Sequence, residues 1–285
     1  MFHEYKGKMV TLMCCSDCNT KCKHCYICYK GNFSGKDLYQ IAFTLQQKGY
    51  TVVLNGTEPL MHREYLETYR MLGQWKTMTN GLVFKNNFDY LDEIRSYGIT
   101  VLNISYHFDF QDQISSVSKS YLMELWKEMH ARRMRFTFNC TLSKNTMHNI
   151  VRYAQEALSY GAYRIHFTNL LQQGAANSLD SGLFLNQSDI NYVLETVNST
   201  RKMFNKDELY VDRCGGFGPF PGSNFYCPAG TGRAYITPDL KVYPCIFLVK
   251  PGFEIGYYKD GTIYIRDDYR NDGKYCLALK ALNHI

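Results

Sequence analysis

Met9-Val-Thr-Leu-Met-Cys-Cys15 runs through Ser16-Asp17 into Cys18-Asn-Thr-Lys-Cys22-Lys-His-Cys25, and this stretch decides how the rest of the chain is read. Its first half is apolar and reads as a short strand over 9–15. Its second half begins a cysteine-rich loop reaching to about residue 33, with three cysteines at spacings of four and three. Thiolates are soft ligands, and a tight loop can present three sulfurs to three corners of an iron–sulfur cluster, leaving a fourth iron open. Structural zinc is the alternative. It takes four ligands, commonly from paired C-x-x-C units, and here only one such pair is at hand, with His24 lying between two of the candidate ligands.

Working outward, strands and helices alternate. Ser34 with Asp37 reads as a capping box opening a helix to about Lys48, which Gly49 ends. Tyr50 to Leu54 is a strand running into the turn Asn55-Gly56-Thr57. Further strands are expected at about 74–79, 99–106, 134–142 and 162–168. Helices are expected at about 62–73, 88–97, 118–132, from an Asn145 cap to about Tyr160, and at 188–204. Repeated strand–helix units imply a parallel sheet with right-handed crossovers, and six strands suit an open or partial barrel better than a closed eight-fold one. The fold class is therefore α/β, a partial (β/α)6 barrel over residues 1–206. After about 206 the texture changes to Gly, Pro, Cys and aromatic residues, followed by strand-like runs at 233–237 and 241–246 joined at Pro238-Asp239. Residues 207–285 read as a small loop-rich module with little core of its own, which a metal staple would help to fold.

Cys18-Asn-Thr-Lys-Cys22-Lys-His-Cys25 after a first strand resembles the C-x-x-x-C-x-x-C signature of the radical S-adenosylmethionine superfamily, over about residues 8–205. The resemblance implies a 4Fe–4S cluster on Cys18, Cys22 and Cys25, with S-adenosylmethionine (SAM) chelated at the open iron and cleaved to a 5′-deoxyadenosyl radical. Gly56-Thr57-Glu58-Pro59 resembles the family's Gly-Gly-Glu-Pro, with Thr57 for the second Gly. By that likeness Glu58 is expected to hold the methionine ammonium and Gly56 to allow close backbone approach. Asn80 in Thr79-Asn80-Gly81, Ser105 in Ile104-Ser-Tyr-His107, and Asn139 with Thr141 end three further strands, where a barrel's ligands meet; His24 stands at the family's adenine-contacting position. Each is also readable as an ordinary turn or barrel-lining residue.

Cys214, Cys227, Cys245 and Cys276 lie in the C-terminal region, where Phe-Tyr-Cys227-Pro-Ala-Gly and Val-Tyr-Pro-Cys245 resemble the SPASM and twitch auxiliary-cluster modules. The likeness implies one auxiliary 4Fe–4S cluster on these four, four-thiolate zinc being the alternative. Leu240 stands where the family places a Gly ahead of Val-Tyr-Pro-Cys. Cys14, Cys15, Cys28 and Cys140 remain. Period-two alternation puts Thr11, Met13 and Cys15 on one face of the first strand, taken as the barrel interior, so Cys15 is the candidate hydrogen-atom donor.

The 285 residues are 45% hydrophobic and 20% charged, enough for a sizeable core, and carry a formal net charge of +6. The basic residues are scattered, which argues against nucleic acid as a partner. No apolar stretch of signal or membrane-spanning length occurs, so a cytoplasmic protein is expected, and the 11 cysteines then point to metal rather than disulfides. The expected activity is hydrogen abstraction from a ribosomally made peptide, leading to epimerisation or crosslinking, with reducing equivalents from a flavodoxin or ferredoxin. Small-molecule dehydrogenation or epimerisation of a sugar or aminoglycoside is the rival, and a non-catalytic zinc module the rival from another class.

Overall fold

The computed structural model describes residues 1–205, 207–213, 215–218 and 226–282. Along its parallel strands at least every second residue is buried, as packing against a layer of helices requires. A short strand β1 (Phe2–Glu4) precedes β2 (Met9–Met13). There follow α1 (Gly35–Gln47), β3 (Thr51–Asn55), α2 (Leu66–Leu72), β4 (Lys76–Thr79), α3 (Asp89–Ser96), β5 (Val101–Ser105), α4 (Gln111–Ile114), α5 (Lys119–Ala131), β6 (Arg135–Leu142), α6 (Ile150–Ser159), β7 (Arg164–Asn169) and α7 (Gln187–Met203). All six strands read from the sequence form.

The helix starts follow their caps. The Ser34 hydroxyl accepts the Asp37 backbone N–H at 3.1 Å, and Asn186 with Asp189 makes a complete capping box at the start of α7. Asn145 is not a cap: Met147–Asn149 winds as a 3-10 turn, and α6 begins at Ile150. The expected helix at 62–73 is likewise shorter, because two 3-10 turns occupy Pro59–Met61 and Arg63–Tyr65.

The remaining elements are β8 (Tyr210–Arg213), β9 (Arg233–Ile236), β10 (Lys241–Tyr243), β11 (Gly256–Lys259), β12 (Thr262–Arg266) and α8 (Leu277–Ala281). Two sheets result. One is fully parallel, in the order β4-β5-β6-β7-β8. The other runs β1-β12-β11-β10-β9-β2-β3, in which β2 is parallel to both β3 and β9, while β9 to β12 form an antiparallel meander that β1 extends. Strand β8 thus adds a seventh parallel strand after the six, and the C-terminal strands continue the barrel sheet. No backbone ladder joins β3 to β4. The Gln74 side chain fills that gap: its Oε1 accepts the Leu54 N–H at 2.7 Å, and its Nε2 donates to the carbonyls of Leu54 and Lys76, each at 3.0 Å.

One continuous apolar core runs from Val10, Leu12 and Leu54 through Ile104, Phe138 and Phe167 to Ile236, Leu248 and Ile263. Among the described residues, no helix is long and apolar enough to cross a membrane.

Candidate cluster and cofactor site

The loop after β2 carries Cys18, Cys22 and Cys25 across the C-terminal ends of the strands, where they line one cavity of about 150 Å3. Backbone contacts hold this loop. The Lys23 N–H donates to the Ile114 carbonyl at 3.1 Å, and the Cys25 carbonyl accepts from Ala175 N–H at 2.8 Å, while Gln173 Nε2 reaches the Tyr26 carbonyl at 2.9 Å. The approach is close enough to require glycine at 174, whose φ is +62° and where a Cβ would fall 2.6 Å from the Cys25 carbonyl oxygen. The loop after β7 is therefore shaped to grip the cysteine loop.

Polar side chains surround the sulfurs. Thr20 Oγ1 lies 3.0 Å from Cys18 Sγ and 3.6 Å from Cys22 Sγ, and Asn80 Nδ2 donates to Cys18 Sγ at 3.6 Å and to Asn19 Oδ1 at 2.9 Å. Burial raises the Cys18 and Cys25 thiols above their ordinary pKa. Bound to metal they would be thiolates, so loading releases protons.

Of the residues singled out from sequence, His24, Gly56, Asn80, Ser105, Asn139 and Thr141 all line this cavity. Glu58 is placed differently. It is fully buried beneath the cavity floor and is not among the lining residues. Its Oε1 accepts from Thr79 Oγ1 at 2.8 Å and its Oε2 from Asn80 N–H at 2.7 Å. Burial raises its carboxyl to about 7, against the pull of those two hydrogen bonds. Glu58 thereby ties the end of β3 to the end of β4 and, through Asn80, to the cysteine loop.

Gly56 is crowded from the protein side as well. A Cβ there would fall 2.9 Å from Cys15 Sγ and 3.0 Å from Cys14 Sγ, so what it accommodates is the protein's own sulfurs below it. Cys15 itself is fully buried and lines neither this cavity nor the one described below. Strand β2 ends at Met13, so the alternation that aimed Cys15 inward does not extend to it.

The histidines supply what a nucleoside-bearing ligand can use. The rings of His24 and His107 meet edge to face at 4.4 Å. His107 Nδ1 accepts the Thr141 N–H at 3.2 Å, which leaves Nε2 as a buried donor with no partner; His24 Nδ1 is likewise buried and unpartnered. Burial holds His24 down at about 4 and His107 well below its ordinary value, so both rings are neutral. Three thiols on one rim and two unanswered ring nitrogens in the wall fit a soft-ligated cluster with a polar organic ligand beside it. Ser115, Thr168 and Asn169 also line the cavity and were not singled out from sequence. The Thr-Asn pair was legible as polar residues ending β7; Ser115, in a connecting segment, carried no signal.

A second cavity of about 290 Å3 adjoins the first, and Tyr26, Met78, Asn139 and Thr168 line both. Cys227 and Cys245 stand in its far wall. Burial pushes Cys245 up to about 12, and Cys227 and Cys276 add to the rise, so these three sulfurs lie within electrostatic reach of one another. Cys276 is buried at the start of α8. Cys214 falls outside the described residues. Among the described residues, no three His, Cys, Asp or Glu side chains converge on a single ion. A polynuclear cluster, whose ligands bind different iron atoms, does not demand such convergence.

A partial barrel with a cysteine loop at its strand ends and a cysteine-bearing sheet extension is the fold of radical SAM enzymes with an auxiliary-cluster module. Among solved structures, Streptococcus suis SuiB bound to its precursor peptide SuiA superposes with a TM-score of 0.67 at 15% identity, covering 86% of this chain and 61% of that one. SuiB bound to S-adenosylmethionine gives 0.64 at 17% identity, covering 87% and 62%. The enzyme anSMEcpe with bound AdoMet and Cp18Cys peptide gives 0.62 at 16% identity, covering 89% and 77%. The chain thus spans about three fifths of the length of the SuiB structures. At these identities the likeness is one of fold. By sequence, no family model and no curated protein matches.

Proposed function

We propose that this chain is a radical SAM enzyme that acts on a peptide. The observation that carries the reading is the meeting of Cys18, Cys22 and Cys25 with the ends of the parallel strands on one cavity. These three thiolates would hold a 4Fe–4S cluster with an open iron. Such a cluster, reduced with SAM bound, supplies a 5′-deoxyadenosyl radical that removes a hydrogen atom from substrate. The protein's own residues prepare the site. Asn80 Nδ2 donates toward Cys18 Sγ and the Thr20 hydroxyl lies within hydrogen-bond reach of the same sulfur, and hydrogen bonds to sulfur set a cluster's reduction potential. His107 Nε2–H and His24 Nδ1 present one donor and one acceptor to the cofactor. Glu58 fixes Thr79 and Asn80, and Ile27, Met78, Leu170 and Leu171 wall the cavity against water.

Cys227, Cys245 and Cys276, with Cys214, are proposed to hold one auxiliary cluster. A peptide substrate is supported by the shared fold: SuiB is solved with a precursor peptide, and anSMEcpe with Cp18Cys and Kp18Cys peptides. The adjoining cavity leads from the candidate radical site toward the second set of thiols, an arrangement suited to oxidising a substrate radical. This favours a crosslinked or dehydrogenated product over epimerisation through Cys15, which reaches neither cavity. Electrons for the first cluster are assigned to a flavodoxin- or ferredoxin-type partner.

The test is anaerobic reconstitution with iron and sulfide, reduction with dithionite, and assay of 5′-deoxyadenosine. The wild type should form it. The Cys18→Ala, Cys22→Ala, Cys25→Ala triple variant should not, yet should stay brown with about four irons, the content of one 4Fe–4S cluster. Retained 5′-deoxyadenosine in the triple variant would sink the proposal, and a colourless, folded triple variant would remove the auxiliary cluster from it.

A further inference from the structure

The second cavity holds a pattern that the cluster reading does not use. Asn55, Asn103 and Asn139 reach it from the ends or interiors of β3, β5 and β6. Each has its carboxamide oxygen already taken. Asn55 Oδ1 accepts the Gly56 N–H at 2.8 Å, Asn103 Oδ1 accepts from Thr137 Oγ1 at 2.7 Å, and Asn139 Oδ1 accepts from Thr168 Oγ1 at 2.9 Å. What remains on each side chain is an NH2 group. Among the described residues, none of the three NH2 groups donates to a protein acceptor, and no Asp or Glu lines the cavity. Arg233 also lines the cavity and adds positive charge. The chamber is therefore rich in donors and poor in acceptors. Asn103 is buried and Asn55 and Asn139 are half-buried, so the wall turns three NH2 donors toward the cavity that only a ligand or solvent can answer.

We propose that this chamber seats the reacting segment of the substrate and that Asn55, Asn103 and Asn139 recognise its carbonyl oxygens. Peptide backbone is the chemistry that answers such a wall, because each residue brings a C=O acceptor at a regular interval. A sugar or aminoglycoside answers it poorly. Its hydroxyls and ammonium groups bring donors that find no carboxylate here, and an ammonium would face Arg233. The inference rests on the peptide reading above and narrows it: the specificity lies in main-chain carbonyl recognition, between the first cysteine set and Cys227 and Cys245.

The experiment measures equilibrium binding to the cluster-loaded, SAM-saturated protein under anaerobic conditions. The probes are N-acetyl-alanyl-alanine methylamide and glucosamine. The wild type should bind the blocked dipeptide more tightly than glucosamine. Asn103→Asp, which turns the donor into an acceptor, should weaken the dipeptide by about tenfold or more. Asn103→Leu, of similar shape and uncharged, should weaken it as well and guards against misfolding caused by a buried carboxylate. SAM affinity, read by separate titration, tests the cofactor site independently of this one. Dipeptide affinity unchanged in both variants, tighter binding of glucosamine by the wild type, or no dipeptide binding at millimolar concentration would each overturn the proposal. A protein that binds the dipeptide as expected but forms no 5′-deoxyadenosine would sink the radical SAM reading and leave the recognition wall standing.

Discussion

Glu58, singled out by a tetrapeptide, takes partners that the tetrapeptide does not contain. The tetrapeptide Gly56-Thr57-Glu58-Pro59 drew attention to it as a partner for a ligand ammonium, whereas its two oxygens serve the Thr79 hydroxyl and the Asn80 N–H. Its burial has a consequence for stability. The folded carboxyl titrates at about 7 against an ordinary 4.5, so the folded state favours the protonated form. The stability this confers is complete below about 4.5 and is lost as pH rises to about 7, because above that point both folded and unfolded chains carry the charge and only the folded one buries it. Urea midpoints of the metal-free protein should therefore fall across that window. Glu58→Gln, neutral throughout, should flatten that fall; an identical slope in the variant would mean that other groups set it. Leu240 is a second instance at this scale. It stands in place of the family's Gly, yet it adopts φ +62°, the left-handed conformation that glycine favours. The turn between β9 and β10 therefore accepts backbone strain of roughly 1–2 kcal/mol.

Between elements, the break in the barrel wall is informative. Strands β3 and β4 face each other without a ladder, and edge groups left unpaired are costly when shielded from water. The Gln74 carboxamide stands in for a strand residue, offering one acceptor and one donor to Leu54 and a further bond to the Lys76 carbonyl. Gln74→Leu keeps the bulk and removes all three bonds. It should lower stability by about 1–3 kcal/mol, as expected for polar backbone groups left unsatisfied in a partly buried setting. A thermal unfolding midpoint equal to the wild type's would show that water fills the gap without cost. The cavity's composition follows from the same scale: its polar residues come from strand ends and its grip on the cysteine loop from the turn after β7, so one loop is fixed by elements far apart in sequence.

At the scale of the whole molecule, the C-terminal strands are bound into the barrel. Arg233–Ile236 pairs in parallel with Met9–Leu12, and Phe2–Glu4 pairs with Tyr264–Arg266. Cutting the chain after Arg213 would strip β2 of one neighbour, uncover Val10 and Leu12, and leave an apolar edge open to association. We expect such a truncation to be insoluble or to bind ANS with a weakened near-UV circular dichroism signal. A soluble, cooperatively unfolding 1–213 fragment would show that the two regions fold independently.

How much of this was legible beforehand divides along a physical line. The sequence by itself determined what is local. The strand–helix alternation, the Ser34 cap, the glycine stops and the cysteine spacing each depend on residues a few positions apart, and the partial barrel and its cysteine loop follow from them. Strand-end positions were enough to place Asn80, Ser105 and Asn139 on a common rim. Only the tertiary structure decided the rest, because it turns on which distant groups meet. Glu58 lost its expected exposure to Thr79 and Asn80, and Cys15 its expected view of the interior to the end of β2 at Met13. The carboxamide oxygens of Asn103 and Asn139 were claimed by threonines on neighbouring strands, which is what makes a donor wall of them. A residue's type and period fix what it can offer. Which of its hydrogen-bonding atoms is left to offer is settled by partners that the chain brings together only on folding.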